Sequence, residues 1–113
     1  MSTPLFDLSY LHQVFQGNDR MVDLILGLFR GQIPGYLEQM ELRYANGDWR
    51  SIHPLAHKAK SGLSMLGMGN LHGIVLDLET RSRHGASDAG IEELLIAARA
   101  LLDASLAELD KQL

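Results

Sequence analysis

Apolar residues recur every three to four positions along this chain, and clusters of glycine, proline and small polar residues interrupt them. That rhythm predicts helices, and no stretch alternates in the way a strand would. A short first helix runs from Leu8 to Phe15 and stops at Gln16-Gly17, where Gly17 suits a left-handed cap and Asn18 can cap the next helix. The second helix is long, reaching about Asn46-Gly47. Ile25, Phe29, Ile33, Tyr36, Leu37 and Met40 form its apolar stripe, and Pro34 is its one local irregularity. Asp48 or Ser51 is placed to cap a third helix that carries Ile52, Leu55, Ala56, Ala59, Leu63 and Leu66 on one side and ends at Gly67-Met68-Gly69-Asn70. Pro54 needs this helix to start near Ser51, or else it kinks it. A fourth helix from Leu71 to about Arg83 turns Leu71, Ile74, Val75 and Leu78 inward and precedes the loop His84-Gly85-Ala86-Ser87. The last helix keeps near-heptad spacing through Ile91, Leu94, Leu95, Ala98, Leu101, Leu102, Ser105 and Leu109, with Glu92 and Glu93 at its positive end. Four amphipathic helices joined by short loops predict an all-α, antiparallel four-helix bundle with a short additional N-terminal helix.

Composition narrows what such a bundle does. The 113 residues suffice for one hydrophobic core, so a single domain spanning residues 1–113 is expected. With 46% hydrophobic and 21% charged residues, the chain falls among ordinary globular proteins. Cysteine is absent, which excludes disulfides, thiolate metal sites and cysteine nucleophiles. No apolar stretch approaches the roughly 18 residues a membrane span requires, and Met1 to Pro4 lacks a signal-like start, so a cytoplasmic location without membrane insertion is expected. A net charge of −4 with scattered Lys and Arg does not suit nucleic acid, and the expected partner is another protein.

The third helix carries the chemistry. Opposite its apolar side, His53, His57, Lys60, Ser61 and Ser64 share one face, with His53 a turn before His57 and Lys60 and Ser61 a turn beyond it. An exposed imidazole, a nearby cation and small neighbours are what a nucleophilic histidine needs if it is to hold a phosphoryl group of about −1.5 to −2 charges. An exposed His beside a Lys is also common on solvated helix faces, so the face alone does not decide.

The run Ala56-His57-Lys58-Ala59-Lys60-Ser61-Gly62-Leu63-Ser64-Met65-Leu66-Gly67 resembles the phosphoacceptor helix of the histidine-containing phosphotransfer (HPt) family. The shared features are alanine before the histidine, lysine three residues after it, small residues next and glycine ten residues after it. The pattern extends to Leu78-Glu79, and the helix count and lengths match over almost the whole chain. Two positions depart: the family usually has a larger apolar residue where Ala59 stands and glycine where Ser61 stands, a hydroxymethyl group that narrows the choice of docking partner.

The resemblance implies a phosphorelay intermediate, a phosphocarrier rather than an enzyme, with no cofactor of its own. His57 is then the phosphoacceptor, Lys60 the cation that stabilises the phosphoryl group and Glu79 a candidate to orient the imidazole, while His53, Ser61 and Ser64 belong to a docking surface. The implied partners are response-regulator receiver domains and a hybrid sensor histidine kinase, met by a monomer; the receiver brings Mg²⁺ and most catalytic groups. Helix register supports the place of Glu79. His57 precedes Gly67 by ten residues and Glu79 follows Asn70 by nine, so both lie about 14 to 15 Å from the turn at about 1.5 Å per residue. Glu79 stands at the margin of the fourth helix's buried side, where its carboxylate either leans toward His57 or is solvated.

Three other readings compete. His53 and His57, four apart, have metal-ligand spacing, but Pro54 stands where a HExxH motif needs Glu and the chain has no Glu-x-x-His, so no metal is expected. Autonomous kinase activity would need a nucleotide site, and Gly67-Met68-Gly69 is only a lone GxG at a helix end. A helical adaptor that docks a signalling partner without phosphotransfer is the main alternative. His12, His72 and His84 read as surface or cap residues, and Met65 and Met68 either supply docking contacts or are buried.

Overall fold

The computed structural model describes residues 4–83 and 89–112. Five α-helices follow in order: α1 (Ser9–Val14), α2 (Asp19–Ala45), α3 (Ile52–Met65), α4 (Gly69–Ser82) and α5 (Ala89–Gln112), with a 3-10 turn at Trp49–Ser51 between α2 and α3. Helices α2 to α5 form the bundle: α3 packs on α2 and α4, and α5 closes the ring against α4 and α2. Among the described residues there is no strand. The short α1 packs on α2. The predicted loop at His84-Gly85-Ala86-Ser87 lies outside the described residues.

Most helix ends follow from the punctuation. The Asn18 side chain accepts a hydrogen bond from Met21 N at 3.3 Å and caps α2. At the ends of α2 and α3, Gly47 (φ +74°) and Gly67 (φ +64°) take the left-handed conformation. Asp48 N then donates to Arg43 O at 2.9 Å and Met68 N to Leu63 O at 3.0 Å, so carbonyls that the helix leaves unpaired are satisfied. At the end of α1 the left-handed residue is Gln16 (φ +51°) as well as Gly17 (φ +80°), so the cap begins one residue earlier than expected.

Neither Asp48 nor Ser51 caps α3 with its side chain; Ser51 Oγ instead donates to Asp48 Oδ2 at 2.6 Å. Pro54 lies in the first turn of α3, where its missing N–H would have no helical partner, so it needs no kink. Pro34 sits inside α2, which continues past it.

The core differs from the expected pattern mainly on α2. Its fully buried line is Val22, Leu26, Ile33, Leu37 and Met40, whereas Ile25, Phe29 and Tyr36 are half-buried. The half-buried line serves α3: the Phe29 ring lies where a Cβ on Gly62 would approach it to 3.0 Å. Gly62 is therefore the point of close approach between α2 and α3. Leu55, Ile74, Leu94 and Leu101 are also half-buried rather than central. Met68 is fully buried and Met65 packs against the core, so Met68 adds nothing to an exposed docking surface.

Candidate functional site

The site forms where α3 and α4 run side by side. Gly67 sets this geometry, because the chain before α1 crosses the α3–α4 turn and Asp7 N donates to Leu66 O at 3.1 Å. A Cβ on Gly67 would stand 2.2 Å from the Asp7 carbonyl oxygen, so glycine is required by space as well as by backbone angle.

One carboxylate organises the polar face. Glu79 on α4 receives Lys60 Nζ at Oε1, at 2.9 Å, and faces His57 Nδ1 through Oε2, also at 2.9 Å. The Glu79 side chain is only 13% exposed, against 69% for His57 and 24% for Lys60. The hub is thus covered while the imidazole projects outward. The hydrogen bond from Lys60, chiefly, and that from His57 hold the Glu79 carboxyl below its usual range, against the opposing effect of burial. An ionised carboxylate only accepts, so the proton between the two groups sits on His57 Nδ1. In the neutral ring Nε2 then carries the lone pair, and it has no partner among the described residues.

His53, one turn earlier, is half-buried and turns its Nδ1 to the Glu79 carbonyl oxygen at 2.8 Å. Ser61 and Ser64 are exposed and line an open depression beside His57, Lys58 and Lys60. The depression is completed by Tyr36 from α2 and by His72 and Leu76 from α4. His72 read as a surface or cap residue, yet His72, Leu76 and Glu79 follow at i, i+4 and i+7 on one face of α4, a spacing that could have joined it to the site. Tyr36 was assigned to the apolar stripe alone. Among the described residues, no three His, Cys, Asp or Glu side chains stand close enough together to hold a metal.

Residues 24–112 match the family model of the Hpt domain. The chain belongs to the Hpt domain family. No curated protein and no solved structure matches it at the significance required of a relative. Hpt domains are phosphocarriers, not true enzymes, and their role is phosphotransfer in two-component signalling with response regulators and kinases as partners. Among the described residues of this Hpt domain, no helix is long and apolar enough to cross a membrane.

This arrangement in the Hpt domain leaves one imidazole nitrogen open for nucleophilic attack. Glu79 meets Nδ1 from the covered side, Nε2 faces outward, and the small side chains of Ser61 and Ser64 leave the approach open. Lys60 gives one of its three N–H groups to Glu79, which leaves two for an incoming anion.

Proposed function

We propose that this Hpt domain accepts and donates a phosphoryl group at Nε2 of His57, exchanging it with aspartates of response-regulator receiver domains. The observation that carries the reading is the 2.9 Å contact between Glu79 and His57 Nδ1 on a ring that is 69% exposed. The Nε2 lone pair forms the N–P bond as the P–O bond of an aspartyl phosphate breaks, and the bonding pair leaves with the aspartate carboxylate. Positive charge that develops on the imidazole is shared with Glu79 through Nδ1–H, and Lys60 offers its remaining N–H groups to a phosphoryl oxygen. The receiver brings Mg²⁺ and most of the other catalytic groups; this chain supplies a positioned nucleophile. His72, Ser61, Ser64 and Leu76 form the floor on which the receiver docks. On this reading the chain works as one domain and as a monomer in the cytoplasm, with a hybrid sensor kinase among its partners.

The test is a panel of receiver domains charged with acetyl phosphate. Acid-labile, base-stable phosphate is expected on the native protein after incubation with a cognate receiver, and none on a folded His57→Gln variant. Undiminished labelling of that variant rejects His57. Binding to receivers without labelling from any of them favours a docking adaptor instead.

A further inference from the structure

Both histidines of α3 turn Nδ1 toward the same residue of α4, but toward different parts of it. His57 meets the Glu79 carboxylate at 2.9 Å, and His53 meets the Glu79 backbone carbonyl at 2.8 Å. A carbonyl oxygen only accepts, so His53 donates and its Nδ1 carries a proton.

The place of this bond in the helix matters. Glu79 lies three residues before the last residue of α4, Ser82, in the helix's last turn, and its carbonyl has a second lone pair beyond the one the helix ladder uses. Ser82 Oγ is a second side-chain donor in that turn. It lies 2.6 Å from the Leu78 carbonyl and 3.4 Å from that of Glu79, and its single hydrogen goes to the nearer oxygen. His53 is therefore the side chain that holds the Glu79 carbonyl. A donor at a helix C-terminus is also favoured by the partial negative charge there. Neutral and protonated His53 both donate through Nδ1, so the bond survives either charge state.

We propose that His53 is a positioning residue for phosphoryl transfer: its bond to the Glu79 carbonyl fixes the last turn of α4 so that the Glu79 carboxylate meets His57 Nδ1. The inference rests on the reading of His57 as the phosphoacceptor. Its physical content is control of the tautomer. A free imidazole in water prefers its proton on Nε2, which would block the outward nitrogen. Glu79 reverses that preference only while its carboxylate stays level with Nδ1. A helix end frays more readily than a helix centre, and without a lateral bond the last turn of α4 lets the carboxylate drift. His53 thus acts on the reacting nitrogen through Glu79 and does not touch the phosphoryl group.

The experiment uses phosphoramidate as donor, whose P–N bond breaks with release of ammonia, so no cognate receiver is required. The rate of phosphate uptake and the ¹⁵N shifts of the His57 ring are measured in the native protein and in His53→Leu, His53→Asn and His57→Gln. The His53→Leu protein is expected to keep its helical content, to show a His57 pattern moved from protonated Nδ1 toward a mixture, and to take up phosphate about tenfold more slowly. His53→Asn places an amide N–H where Nδ1 stood and is expected to restore both. If the leucine variant does not fold, His53→Gln replaces it, because its amide reaches the Nε2 position and misses the carbonyl.

An unchanged His57 pattern and rate in the variants that lack the donor overturns the positioning role, and leaves the phosphoacceptor reading intact if His57→Gln takes up no phosphate. Uptake by His57→Gln equal to that of the native protein overturns both.

Discussion

Two pairs of helices in this bundle are joined by a carboxylate bound through both oxygens, with different consequences. Across α2 and α5, Arg99 sends Nε to Glu41 Oε2 at 3.2 Å and a terminal nitrogen to Oε1, so one guanidinium consumes the whole carboxylate. Across α3 and α4, Glu79 is shared between the Lys60 ammonium and the His57 imidazole. Exposure differs as well. Arg99 and Glu41 are equally open to solvent, at 36% and 35%, whereas Glu79 is covered at 13% and its histidine stands out at 69%. The first pair is closed: both carboxylate oxygens bind one guanidinium, which has donors only and no lone pair to act as a nucleophile. The second leaves one ring nitrogen unspent and pointing outward. A two-helix clamp becomes a reactive site when the carboxylate is the covered partner and one of its donors has a second functional atom.

The comparison breaks most visibly on removal of each carboxylate in turn. Glu79→Ala is expected to slow phosphate uptake about tenfold by freeing the His57 tautomer. Glu41→Ala should leave uptake unchanged, because its partner has no path to the reacting nitrogen. Labelling rates for the two variants, measured side by side with one donor, check this. Equal slowing would mean that both clamps act only through stability.

That His57 and Lys60 share the face opposite the core was legible from the helical wheel, because the apolar side of α3 is unambiguous, whereas their chemical roles rested on the family resemblance. Glu79 was placed level with His57 by counting residues from the Gly67 turn, which works since α3 and α4 have equal lengths of 14 residues. Residue counting does not say where side chains end. Whether Glu79 leaned on His57 or on water depends on how closely α3 and α4 approach, and that follows from the tight turn at Gly67, packed under Asp7.

The same holds for His53, which read as part of an exposed face and is half-buried against the end of α4. On α2 the error was one of rotation. A 27-residue helix that faces both α3 and α5 carries a broad apolar arc, and periodicity alone does not say which edge of that arc is central.

A smaller effect sharpens the comparison at Lys60. Removing a fully exposed lysine typically costs under roughly 0.5 kcal/mol. The Lys60 side chain is half-buried against a covered carboxylate, so Lys60→Ala is expected to cost about 1 kcal/mol and to slow transfer. The pH dependence gives a cleaner readout. The Glu79 carboxyl is held below its usual value of 4.5, chiefly by Lys60. A carboxyl depressed in the folded state stabilises the protein fully above its unfolded value, and that contribution is lost as pH falls through the lower folded value. Native stability should therefore carry a Glu79 contribution that is flat above pH 4.5 and declines below it. In Lys60→Ala the contribution should be smaller, since the strongest cause of the depression is gone. Denaturant titrations across the acid range, with Glu79→Gln as the reference, measure it. Identical acid profiles for native and Lys60→Ala would remove Lys60 from the hub.

The smallest effect is expected at the closed clamp. Arg99 also approaches Asp103 one turn along α5, at 3.7 Å, and the nearby carboxylates, Glu41 first, raise its already high pKa. The guanidinium therefore stays charged at any pH at which the protein folds, and the pair has no titration of its own on the basic side. Both partners are more than a third exposed or nearly so, so water and salt screen most of their attraction. Arg99→Ala should accordingly cost less than about 1 kcal/mol, a loss that shrinks further in high salt. The phosphate uptake rate should not change, since the residue lies on the α2–α5 side of the bundle and shares no partner with Glu79. Thermal unfolding at low and high salt, paired with a labelling assay, checks both halves. A slowed uptake in a fully folded Arg99→Ala protein would show that the two clamps are coupled through the bundle.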